Sequence, residues 1–170
     1  YYTPSFSLDE STNGGESWTQ VRASACPSQI VDLVVHPVDG KILFAGSWTR
    51  EGCEGGVYKS EDAGRTWVPT GLELQGPRLQ LGGALWIDSQ EGKYLYAIAD
   101  GLYASSDAGQ NWGQTGLGCE TMAINPQDGA TAYCGHGNNI EKTTDGGQIW
   151  QLLTPLEGWA GFSNKRMTSA

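Results

Sequence analysis

Carboxylates recur in this chain at matching local addresses. Asp62, Asp107 and Asp145 each stand two residues after Ser or Thr (Ser60, Ser105, Thr143) and two before Gly (Gly64, Gly109, Gly147). Each also stands five before Trp (Trp67, Trp112, Trp150). A looser copy near the start has Ser11, Asn13, Gly15 and Trp18. Carboxylates in a regular array can act as general acids and bases or ligate calcium. Their neighbours argue for a different use. Asp or Asn in a tight turn accepts hydrogen bonds from backbone N–H groups just ahead of it. Gly two residues on takes positive φ without a Cβ clash. Ser or Thr opens the turn, and Trp on the returning strand buries a large apolar area. We therefore read the array as four locked β-hairpin tips, with no catalytic residue and no metal among them.

The elements that must carry these tips follow from the residues between them. The Trp-to-Trp spacings are 67−18 = 49, 112−67 = 45 and 150−112 = 38, close to the roughly 40–45 residues of a four-stranded repeat. Residues 29–35 read as a mostly apolar inner strand A, buried on both faces. A turn at 36–40, strand B at 41–46, a long loop at 47–55, strand C at 56–59 and strand D at 65–69 complete one unit. The next unit has strands at 83–87, 94–98 and 101–104, then Trp112 on strand D. The third has strands at 120–124, 131–135, 139–142 and 149–152. Residues 1–10 and 18–21 supply only strands C and D of a first unit.

The Ser/Thr-x-Asp-x-Gly-x-x-Trp pattern resembles the Asp-box, or BNR repeat. That repeat is found in sialidases, xyloglucan-degrading glycosidases, sortilin-type receptor ectodomains and photosystem II assembly factors. The resemblance covers nearly the whole chain. It implies an all-β fold of β-propeller blades, each a four-stranded antiparallel meander with the motif at the hairpin between strands C and D. Asn13 replaces Asp in the first copy, which an Asx-type turn tolerates. Asn111 and Ile149 stand where Thr66 precedes Trp in the second copy, which leaves one minor hydrogen bond open.

On this reading the units are 1–22 (half a blade), 23–71, 72–116 and 117–154 (one blade each) and 155–170 (a tail, or the first strand of a next blade). That makes about three and a half blades, where a closed propeller needs at least four. Bare blade faces and sheet edges favour pairing. The expectation is a piece of a larger propeller, with further blades from the same or another chain. The chain lacks an initiating Met, so it is expected to have lost a leader or to begin inside a longer protein.

With Lys+Arg 10 against Asp+Glu 19, the net charge is −9, which argues against DNA, RNA or an anionic lipid surface as partner. No run of 18 apolar residues is present, so no membrane insertion is expected. The four cysteines include no Cys-x-x-Cys pair, and His36 and His136 are far apart in the pattern, so neither a metal site nor a cofactor is expected. In a propeller meander the D–A and B–C connections share one face. That brings Cys26 toward Cys53 and Cys119 toward Cys134, and we predict these two disulfides. They imply an oxidising, extracellular or periplasmic compartment.

Three further groups could carry function. Asp32, Asp88 and Glu120 lie on or beside inner strands, which line a propeller's channel. A pair of carboxylates there could serve glycoside hydrolysis, although solvated or hydrogen-bonded channel residues are the reading adopted. The four motif Trp residues could stack on sugars, but their fixed place in every repeat points to packing. Trp48, Arg50 and Glu51, in the long B–C loop, have the composition of an interface hot spot, unless Trp48 merely covers its own blade.

The expected function is non-catalytic binding of protein or carbohydrate through the D–A and B–C loop face, or a structural scaffold. The alternative is a fragment of an Asp-box glycoside hydrolase. A sialidase resemblance implies three substrate-gripping arginines and a Tyr–Glu pair. This chain has five Arg (Arg22, Arg50, Arg65, Arg78, Arg166) and no Arg-Ile-Pro signature. A xyloglucanase resemblance implies catalytic carboxylates that no motif here locates. The assembly factors share an arginine-rich patch that this acidic chain does not show.

Overall fold

A computed structural model describes residues 8–21, 26–27, 30–49, 52–74 and 84–153. These contain fourteen strands and no helix. Leu8–Glu10 (β1) and Thr19–Val21 (β2) form a two-stranded sheet. The second sheet is Ile30–Val35 (β3), Leu43–Ser47 (β4), Gly55–Ser60 (β5) and Val68–Leu74 (β6). The third is Ala84–Ile87 (β7), Leu95–Ile98 (β8), Leu102–Ser105 (β9) and Gly113–Gln114 (β10). The fourth is Thr121–Ile124 (β11), Ala132–His136 (β12), Asn139–Thr143 (β13) and Gln151–Leu153 (β14). Each four-stranded sheet is antiparallel with its strands in chain order. The described residues therefore form three full β-propeller blades preceded by a two-stranded sheet in the place of another blade's outer pair.

Alternation along the second strand of each blade sets the core between sheets. In β4, Leu43 and Ala45 face β1–β2, joining Tyr58, Trp67 and Leu8. Phe44, one residue out of phase, faces the next blade and meets Val57, Leu72, Leu85, Leu95 and Ala97. Strand β8 repeats the division, with Leu95 and Ala97 facing back and Tyr96 facing forward onto Ala132 and Cys134. A period of two thus feeds two different cores from one strand, and β4 is buried at every position.

Two expectations need correction. The inner strand β3 is half-buried, and Val35 is 51% exposed. An apolar run does not require burial on both faces when the strand lies innermost, with a single strand neighbour in its own sheet. The motif Trp also does not sit within the return strand. Trp67 directly precedes β6, and Trp150 directly precedes β14. Each indole folds back into its own turn, with Nε1 donating to Gly64 O at 2.9 Å and to Gly147 O at 3.1 Å.

Candidate functional site

The repeated turns show what their carboxylates do. Ser60 Oγ accepts from the Gly64 amide at 2.8 Å, and Asp62 Oδ1 accepts from the Thr66 amide at 2.8 Å. The Thr66 hydroxyl donates to Asp62 Oδ2 at 2.6 Å. In the third turn, Asn111 supplies an amide N–H in place of that hydroxyl, again at 2.6 Å to Asp107. In the fourth, Ile149 offers only its backbone amide, 2.9 Å from Asp145. In the first, Asn13 accepts from the Ser17 amide at 3.0 Å, and its own amide group donates to Ser17 Oγ.

These donors set the acidity of the three aspartates. The hydroxyl and amide of Thr66 hold Asp62 down at about 2. Burial pushes Asp107 up, but the Asn111 donors and others outweigh it and the net shift is downward. The Ile149 amide is the leading cause of the downward shift at Asp145. All three are ionised acceptors held by their own hairpin, which leaves little basicity for proton transfer.

The A–B turns use a second set of caps, which the sequence reading did not anticipate. His36, Asp88 and Asn125 occupy equivalent positions. The Val38 and Asp39 amides donate to His36 Nδ1, and the Gln127 amide donates to Asn125 Oδ1 at 3.0 Å. Asp88 accepts from Gln90 at 2.9 Å, Glu91 at 3.0 Å and Tyr94 at 2.8 Å. Burial pushes the Asp88 carboxyl up, and these amides override it, for a net downward shift. The two turn types are joined within each blade by matching bonds. Ala63 N donates to Lys41 O, Ala108 N to Lys93 O and Gly146 N to Ala130 O, each at 2.9 Å.

The inner-strand carboxylates are not assembled into a reactive pair. Asp32 Oδ1 accepts from Leu33 N, while Oδ2 reaches the next blade and accepts from Leu85 N at 2.7 Å. Asp88 is the turn cap just described. Glu120 is exposed and lies 3.4 Å from His136 Nδ1. Among the described residues no group of three or more His, Cys, Asp or Glu could hold a metal ion.

On the opposite face, one disulfide joins Cys26, ahead of β3, to Cys53 in the B–C loop, with Cα atoms 5.6 Å apart. Another joins Cys119, ahead of β11, to Cys134 on β12, at 5.7 Å. Trp48 is half-buried beside Ser47, whose hydroxyl donates to the Trp48 carbonyl at 3.2 Å. The Gly55 amide donates to Thr49 Oγ1 at 3.1 Å, and Tyr58 OH to Glu54 O at 2.8 Å, so both ends of the loop are tied to its own blade. Arg50 and Glu51 lie outside the described residues. A groove of about 460 Å³ sits away from this face, between the third and fourth turns, lined by Ser106, Asp107, Trp112, Gln114 and Gln148 among others.

No family model matches the sequence, and no curated protein matches it. Solved structures do resemble the fold. An ancestral GH74 enzyme superposes with a TM-score of 0.63 at 17% identity, over 88% of this chain and 21% of the enzyme. YCF48 bound to D1 peptide superposes with a TM-score of 0.52 at 20% identity, over 72% of this chain and 39% of YCF48. The chain thus spans about a fifth of the one and two fifths of the other. Both likenesses are of β-propeller fold.

Proposed function

We propose that this chain is a non-catalytic segment of an Asp-box β-propeller that binds protein or carbohydrate through its D–A and B–C loop face. One observation carries this reading: the carboxylates that could do chemistry hold hydrogen bonds from their own fold. Asp62, Asp107 and Asp145 close hairpins, Asp88 closes an A–B turn and Asp32 ties two blades together. The loop face is left as the surface free to vary. Loops on a rigid sheet scaffold are where binding residues concentrate. The disulfides at that face suit an extracytoplasmic setting, where they persist and fix the loops. Trp48, Arg50 and Glu51 are the residues proposed to contact a ligand.

A second reading, a fragment of a glycoside hydrolase, draws support from the fold shared with the GH74 enzyme. Fold alone does not carry function. A direct comparison separates the two. The purified chain is incubated with xyloglucan oligosaccharides, and products are followed by chromatography. In parallel, binding of the same oligosaccharides and of a peptide array is measured for the native chain and for Trp48→Ala. Binding without turnover, weakened by Trp48→Ala, supports the proposal. Hydrolysis of xyloglucan overturns it.

A further inference from the structure

The outer part of the β7–β10 blade lacks side chains that its neighbours carry. The residue just before the turn Ser or Thr is Lys59 on β5, Ala104 on β9 and Lys142 on β13. Its cross-strand partner is Val68 on β6, Gly113 on β10 and Gln151 on β14. In the β3–β6 blade Lys59 lies with Nζ 6.0 Å over the Phe44 ring and pairs with Glu61 at 2.7 Å. The β7–β10 blade has Ser106 at the Glu61 position. Ala104, Gly113 and Ser106 thus stand where the preceding blade has a long cation, a branched side chain and an acid.

These three residues line the groove of about 460 Å³ between the third and fourth turns. A Cβ on Gly113 would meet nothing within 4 Å. Across the groove, a Cβ on Gly146 would stand 3.6 Å from Ser106 Cβ. The groove therefore follows from short side chains at one address, between two complete blades. Its volume falls within the roughly 300–1,000 Å³ of ligand sites.

The lining selects an occupant by elimination. Among the described residues no Lys or Arg lines it, so nothing there holds an anion. Its one carboxylate, Asp107, already accepts from the Asn111 amide, the Asn111 side chain and the Ser105 hydroxyl, which leaves little to hold a cation. No Leu, Ile, Val or Phe lines it, so an apolar side chain finds no seat. The Trp112 indole is tied back to Thr70 Oγ1 and Gly109 O, both at 3.1 Å. What remains is neutral and polar. The Ser106 hydroxyl and the Gln114 carboxamide make no hydrogen bond to any described residue. Gln148 commits only Nε2, to Asp145 O at 3.2 Å. Hydroxyls and carboxamides both donate and accept, which matches the hydroxyls of a sugar.

We propose that this groove is a second ligand site, taking a short neutral oligosaccharide through hydrogen bonds. It lies away from the loop face and stands independently of the binding proposed there.

Amide NMR on the isotope-labelled chain tests this. Cellotetraose, mannotetraose and xylotetraose are each titrated to about 10 mM, a range that captures a ligand held by exposed hydrogen bonds. At least one should shift Gly113, Gln114, Gly147 and Gln148 and reach saturation. Gly113→Val and Ser106→Glu, which restore the residues of the preceding blade, should each weaken that binding by roughly tenfold or more. Gly113 lies outside the left-handed region, and Val68 is 58% exposed at the matching place, so circular dichroism should stay unchanged. Silence from all three sugars overturns the inference. So do groove shifts that survive both substitutions, or trigalacturonate binding as tightly as the neutral sugars. Tetra-alanine runs in parallel, and groove shifts from it alone also overturn the inference. Sugar that shifts only Ser47, Thr49 and Gly55 overturns it while leaving the loop-face reading standing.

Discussion

The first and second turns close with matching backbone-amide hydrogen bonds in different surroundings. Ser11 and Ser60 each accept from a glycine amide at 2.8 Å. Asn13 and Asp62 each accept from the amide four residues on, at 3.0 and 2.8 Å. Yet Trp18 is 65% exposed and Trp67 is 7% exposed. Turn closure is therefore local, set by side chains within eight residues. Burial is not local, because it needs a blade on the far side. Leu8 supplies that neighbour to Gly64, and no described residue supplies it to Gly15. The motif fixes a shape, and the neighbour decides how much stability that shape carries.

Cutting both tryptophans should expose the contrast most sharply. Trp67→Ala removes a buried indole from a core shared with Leu43, Ala45 and Tyr58 and should cost about 3–5 kcal/mol. Trp18→Ala should cost about 0.5 kcal/mol or less, as an exposed site. Urea denaturation of both variants measures the difference, and equal losses would break the comparison. Next in size are the disulfides. Cys26–Cys53 and Cys119–Cys134 close spans of 27 and 15 residues, and replacing either pair with serines should cost about 3 kcal/mol on loop-closure grounds. The Cys119 pair lies in the junction core with Tyr96 and Leu102, so its loss should loosen the last blade selectively. Hydrogen exchange resolved by blade would show this.

The same division between local and non-local explains what could be read from the sequence. The four turns were legible because Ser, Asp and Gly act on amides two to four residues away. Most strands were legible because alternation and turn residues are also local signals, and their ends shifted by only a few residues. The Asp32 contact with Leu85 spans 53 residues, and nothing near either residue announces it. The half-burial of β3 was misread because an apolar run does not tell whether a second sheet covers it. The capping roles of His36, Asp88 and Asn125 were missed, although each precedes its partner (Ile42, Tyr94, Thr131) by six residues. The signal that could have found them is the residue type at the head of each A–B turn, because Asp and Asn there cap amides a few residues on. For the proposed ligand face, the residue types of the B–C loop drew notice, but loop composition names no ligand.

Glycine substitutions sharpen the comparison at a smaller scale. Gly64 and Gly15 both hold left-handed backbone, at φ +84° and +91°. An alanine at either position carries a strain of about 1–2 kcal/mol. Only at Gly64 does the new methyl also collide with Leu8 and come within 3.4 Å of Leu43, adding on the order of 1–3 kcal/mol of overpacking. Gly64→Ala should therefore lower the denaturation midpoint well beyond Gly15→Ala. If the two variants match, backbone strain alone governs these turns and the neighbouring blade adds nothing.

Acid should distinguish the turns most gently, because these groups are largely exposed. The pKa of Asp62 is lowered from 3.8 to about 2, chiefly by the Thr66 hydroxyl and amide. A carboxyl whose folded pKa lies below its unfolded value stabilises the fold fully above the unfolded value. That contribution fades as pH falls toward the folded value. For Asp62 the window runs from about pH 4 to about pH 2, and the downward shifts at Asp107 and Asp145 act in the same sense. Asn13 carries no titrating proton, so the first turn should keep its bonds through this range. In an NMR titration the Thr66, Asn111 and Ile149 amides should move together below pH 4, while the Ser17 amide stays still. Thr66→Val should raise the Asp62 midpoint, because it deletes the leading cause of the shift. A Ser17 amide that moved in step with the others would mean that the first turn depends on blades beyond its own eight residues.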